Sequence, residues 1–98
     1  MAVHKNEYGT VFTITVQEDS VDKDISAATE TLMIFKAPDE VLTEKTAAFV
    51  TDGTNGEIDY TSETGLFDET GTWEVQAKIT TASGVWYTVP TAFEVTEI

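Results

Sequence analysis

The sequence has no cysteine, which removes a disulfide staple, a thiolate nucleophile and a cysteine zinc site together. It has one histidine, His4, in a polar stretch with no serine or cysteine partner pattern. A catalytic triad or a histidine metal site is therefore not expected, and His4 is read as a solvated residue. Positive charge is scarce. Lys and Arg number 5 against 18 Asp and Glu, a formal charge of −13 at pH 7. Such a surface repels phosphate backbones and anionic head groups, so neither nucleic acid nor membrane is an expected partner. No apolar run approaches membrane-spanning length, and residues 1–8 lack the apolar core of a signal peptide, so synthesis in the cytoplasm is expected. Helical periodicity, internal repeats and low-complexity segments are missing as well.

What is present is a series of short β patterns. The 98 residues, 41% of them hydrophobic, suit one domain over 1–98 with a polar lead-in at 1–8. The clearest pattern spans 71–81, where Trp73, Val75, Ala77 and Ile79 alternate with Thr72, Glu74, Gln76, Lys78 and Thr80. That alternation predicts a strand with one face on the core, and Trp73 supplies its largest apolar surface. Phe12, Ile14 and Val16 alternate within a strand over 10–18. Residues 30–36 contain the continuous run Leu32-Met33-Ile34-Phe35 and read as a strand covered on both faces, closed by Pro38. Further strands are expected over 43–51, 57–61, 85–89 and from Thr91 onward. Asn55-Gly56 signals a hairpin between the third and fourth strands, and Ser83-Gly84 another. Pro90 implies a sheet edge or a bulge. Leu66 and Phe67 are expected to tuck under a crossover loop. About seven short strands of this kind predict an antiparallel β-sandwich.

Asp68-x-x-Gly71-x-Trp73 has the form of the approach to the tyrosine corner in immunoglobulin-like domains, with Trp in place of Tyr and no following Cys. Gly9-Thr10-Val11-Phe12, Phe35-Lys36-Ala37-Pro38-Asp39 and Thr51-Asp52-Gly53-Thr54-Asn55-Gly56 resemble the N-terminal domain of phage baseplate upper proteins. Leu66-Phe67-Asp68-x-x-Gly71-Thr72-Trp73 and the Ser83-Gly84 hairpin continue that resemblance, which spans 3–95. It implies an immunoglobulin-like virion module of tail, baseplate or neck, made in the bacterial host cytoplasm. Such a module packs against other virion proteins, with no catalytic residue and no cofactor to carry over. A symmetric homo-oligomer is compatible with that role.

Two sets of residues are singled out as candidates. Trp86 and Tyr87 are adjacent on one strand, so one enters the core and the other faces outward. The outward ring would anchor a protein partner or, in an alternative reading as a carbohydrate-binding or adhesin-type module, stack on a sugar. Asp19, Asp22 and Asp24 share one loop, and hard oxygens on a flexible loop are admissible calcium ligands. Asp52, Asn55, Glu57 and Asp59 surround a second loop whose glycines do not fit an EF-hand. The remaining carboxylates fall in turns and on outward positions, where they serve solubility.

Overall fold

The computed structural model describes residues 2–18 and 20–97. These residues form eleven strands: β1 (Ala2–His4), β2 (Val11–Thr15), β3 (Gln17–Glu18), β4 (Val21–Asp22), β5 (Glu30–Lys36), β6 (Leu42–Thr46), β7 (Ala48–Phe49), β8 (Glu57–Thr61), β9 (Gly71–Thr81), β10 (Gly84–Tyr87) and β11 (Thr91–Thr96). The fold is an all-β sandwich. Strands β5, β8 and β9 lie where their residue patterns place them, and β9 buries Trp73, Val75, Ala77 and Ile79 in strict alternation.

The larger sheet has the order β1-β11-β9-β5-β6, with β10 also paired to β9. The smaller one has the order β2-β8-β7, and β3 pairs with β4 as a separate ribbon. All pairings are antiparallel except β1 with β11.

Eleven strands replace the expected seven because two expected strands are interrupted and two short ones are added. The third, over 43–51, changes sheets. Its first half, β6, pairs with β5, while β7 pairs with β8. The turning point is Ala47, buried, with its N–H donating to the Thr31 carbonyl at 2.9 Å. The first expected strand breaks at buried Val16, whose N–H donates to Gly56 O and whose carbonyl accepts from Lys23 N–H. Gly56 is required there by space. Its φ is +77°, and a Cβ would lie 2.6 Å from the Val16 carbonyl oxygen. The Asn55-Gly56 pair thus closes the expected hairpin, whose loop over 50–56 joins β7 to β8.

The polar stretch over 1–8 also differs from expectation, because it contains β1. Val3 is buried against the sheet, and a single apolar residue among polar ones carries no alternation to read. His4 is exposed as expected, but on a strand instead of a tail. On β5, Met33 and Phe35 enter the core. Ile34 is buried on the opposite face between Gln76 and Glu44 of the flanking strands, which accounts for the unbroken apolar run.

The core is aromatic. Phe12 of β2, Phe35 of β5, Phe93 of β11 and Phe67 of the loop before β9 touch one another in every pairing, with centroids 5.3–6.5 Å apart. Tyr60 adds to Phe35, and Trp73 adds edge-on to Phe67. The Trp73 Nε1–H donates to the Glu69 carbonyl at 2.9 Å, four residues upstream. This resembles the bond that anchors a tyrosine corner. Truncation of a fully buried phenylalanine removes its transfer energy and leaves a cavity. Phe67→Ala is expected to cost about 3–5 kcal/mol, measured by denaturant unfolding.

Candidate protein-binding surface

The hairpin from β9 into β10 fixes where Trp86 and Tyr87 point. Trp86 lies opposite Ile79, which is buried, and Tyr87 lies opposite Lys78 on the outer face. Residues directly opposite in an antiparallel pair share a face. Trp86 is accordingly half-buried, with Lys23 Nζ 4.3 Å from its ring centroid. The same ammonium bonds Glu18 at 2.8 Å. A cation held over the indole face ties the β3–β4 ribbon to β10. Tyr87 is 60% exposed, with Val85 at 49% and Val89 at 85% nearby along the chain. The sequence pattern separates the two rings but not their directions, which depend on the register.

Beyond Tyr87 the strand bulges. Tyr87 pairs with Lys78 and Thr91 with Val75, so Thr88, Val89 and Pro90 oppose Gln76 and Ala77. One extra residue sits on this side, the bulge that Pro90 implies. Thr88 repairs the ladder. Its N–H donates to Ala77 O at 3.0 Å, and its Oγ1 accepts from Ala77 N–H at 2.8 Å. The bulge turns Val89 out and resets the alternation so that Phe93 and Val95 enter the core.

The side of the sandwich beneath this bulge is open. A hollow of about 390 Å³ lies between Thr13, Ile14 and Gln17 on one wall and Tyr87, Thr88 and Val89 on the other. A second, of about 210 Å³, continues it between β2 and β11, over Phe12, Val75 and Phe93. Among the described residues, no charged side chain lines either hollow.

The acidic loops are partnered from within. Asp24 accepts from Ser26 N–H and Oγ–H, and Asp52 accepts from Thr54 N–H and Oγ1–H. Those bonds hold both carboxyls below the usual aspartate range. Asp22 accepts from Gln17, and Asp19 lies outside the described residues. Among the described residues, no three His, Asp or Glu side chains converge as metal ligands. A polar hollow of about 290 Å³ near Trp73 is bordered by Asp39, Glu63, Asp68 and Glu69. Desolvation, reinforced by Asp39 and Asp68, raises the Glu69 carboxyl above the usual range. Glu63 accepts from Tyr60 Oη–H at 3.0 Å and lies 3.7 Å from Lys45.

Sequence reasoning missed Val85, Val89 and the open side of β2. Val89-Pro90 was the available signal, since a β-branched residue before a ladder-breaking proline is turned outward when the extra residue bulges.

Two expectations follow from these bonds. Thr88→Val removes the acceptor for the buried Ala77 N–H and is expected to cost about 1–3 kcal/mol, whereas Thr88→Ser retains most of the stability. Burial first, and then the bond and charge of Glu63, push Tyr60 up to about 12 from 10.0. The stability Tyr60 contributes is complete below pH 10 and is lost as pH rises toward 12. Alkaline melting curves should show a shallower decline for Tyr60→Phe than for the parent chain.

One family model, described as the BppU N-terminal domain, matches residues 2–97. No curated protein matches the chain.

Proposed function

The chain belongs to the BppU N-terminal domain family of phage baseplate upper proteins, and from that premise we propose that it works by packing against neighbouring virion proteins, without catalysis. Membership makes it a phage baseplate domain, a virion component that meets other virion proteins. The reading of its mode of action rests chiefly on the exposed apolar strip of Val85, Tyr87 and Val89 on a chain of charge −13. Singly exposed apolar residues are ordinary, but three along five residues beside an uncharged trough form a surface suited to a protein partner.

Tyr87 is the anchor of that surface. Its ring is rigid, large and polar at the tip, as residues that carry binding energy tend to be. Trp86 acts on the inner side, braced by Lys23, and orients the strand. The carboxylates keep the free domain soluble in the host cytoplasm and set it against nucleic acid and anionic membranes. Charge of one sign also opposes self-association, so other virion proteins are its main partners.

Co-expression with the other baseplate proteins of the same phage, followed by size-exclusion chromatography, tests this reading. A stable complex is expected. Tyr87→Ala and Val89→Asp should each weaken it about tenfold or more, with the melting temperature of the free domain unchanged to within about 4 °C. A folded domain that joins none of those proteins would overturn the proposal.

A further inference from the structure

The edge of β2 is built differently from those of β6, β1 and β7. At one end of its ladder Ser62 N–H donates to Thr10 O, and at the other Val16 N–H donates to Gly56 O. With the register between them, these bonds turn the peptide groups of Phe12 and Ile14 toward β8. The N–H and C=O groups of Val11, Thr13 and Thr15 therefore point away from it. Among the described residues no strand pairs with that side. Exposed strand edges are ordinarily blunted by charge, proline or shortness. Strand β6, at the far edge of the larger sheet, carries Glu44 and Lys45, while β1 has three residues and β7 two. Strand β2 has five residues, Val-Phe-Thr-Ile-Thr, and none of these devices.

What lies beside this edge limits what can cover it. Toward the core is the uncharged trough between Ile14, Phe93, Tyr87 and Val89. On the outer face, Asp59 and Glu57 of β8 stand opposite Thr13 and Thr15. Asp59 is half-buried and has no ion-pair partner among the described residues. A strand added beyond β2 would send alternate side chains into the trough and over the threonines toward these carboxylates.

Resting on the reading of the chain as a packing module, the geometry points to β2 as the acceptor edge for an extended segment of another virion protein. That segment alternates apolar residues, which fill the trough, with lysine or arginine, which reach Asp59 and Glu57. The backbone bonds of Val11, Thr13 and Thr15 supply the attachment, and the alternation supplies the selectivity. A second copy of this chain is the poorer occupant. Its own β2 offers Val11, Thr13 and Thr15 where cations are wanted, and it brings a further −13 of charge.

A capped peptide of about nine residues alternating valine with lysine is the probe, with a valine–glutamate peptide and a scrambled valine–lysine peptide as controls. Amide hydrogen exchange of the full chain, followed by NMR, reads the result. The valine–lysine peptide is expected to slow exchange at Val11, Thr13 and Thr15 by about tenfold or more, leaving Phe12 and Ile14 unchanged. Thr13→Pro removes an N–H that β8 does not use and should abolish the effect. Asp59→Lys should weaken the valine–lysine peptide about tenfold and admit the valine–glutamate one. Equal slowing by all three peptides, or none at millimolar peptide, overturns the inference. So does slowing of the same amides on concentrating the protein alone, which would assign the edge to a second copy. A co-expressed baseplate complex indifferent to both Thr13→Pro and Asp59→Lys overturns the edge while leaving the packing role intact. A parent chain that forms no such complex overturns the packing role itself.

Discussion

Four phenylalanine rings in mutual contact are the constraint from which the rest of the molecule follows. Phe12 comes from the small sheet, Phe35 and Phe93 from the large one, and Phe67 from a loop. Without a disulfide, the two sheets are joined by buried aromatic area and by the edge-to-face geometry of the rings, which adds about 0.5–1.5 kcal/mol per pair. Phe35 and Phe67 each touch the other three and one further ring, Tyr60 and Trp73 respectively. A loop residue that is wholly buried also fixes the loop. The carbonyl of Phe67 accepts from Asn6 N–H, and that of Glu69 accepts from Trp73, so the N-terminal segment and the start of β9 are held to the same cluster.

The sandwich is closed unequally around this core. On one side the chain itself joins the sheets, passing from β6 to β7 through Ala47. On the other, β2 and the first half of β11 present edges to each other across the trough, and among the described residues no strand bridges them. The bulge at Pro90 lies on that side. It interrupts the strand where a continuous β10–β11 would have kept its alternation, and the hydroxyl of Thr88 supplies the acceptor the ladder would otherwise lack.

Much of this could be read in the residues. The alternation of β9, the unbroken run of β5 and the short pattern of β8 each placed a strand with its bounds, because side-chain period is imposed by burial on one face. Pro90 marked its bulge by chemistry alone. The resemblance to phage baseplate upper proteins rested on turn and aromatic residues, and the family match covers the same span. Three features were not legible, each for a physical reason. Strand β1 is too short, with one apolar side chain, to show a period. The exchange of sheets at Ala47 depends on pairing partners distant in sequence, which local pattern does not contain. The direction of Tyr87 is set by the register of the β9–β10 hairpin, since a shift of one residue would have turned Trp86 outward instead. Phe67 was placed under its loop correctly, but its position at the centre of the core required the three-dimensional arrangement of three other rings.

The distribution of charge completes the account. Carboxylates crowd the turns, where Asp24, Asp39 and Asp52 accept bonds from the chain two residues on, so part of the acidity serves the loops that reverse the strands. The rest spreads over outward positions, and among the described residues none belongs to β2 or lines the trough. A molecule selected only for solubility gains nothing by sparing a five-residue edge and the trough beside it, since a single lysine there would protect the edge from mispairing. Leaving the strand and the trough uncharged exposes the free chain to aggregation. The exposure is tolerable if the side is covered in the assembled particle, and the −13 charge elsewhere keeps copies apart until then. If β2 is the acceptor edge proposed above, acidity and the uncharged edge are two parts of one arrangement, the first protecting the second before assembly.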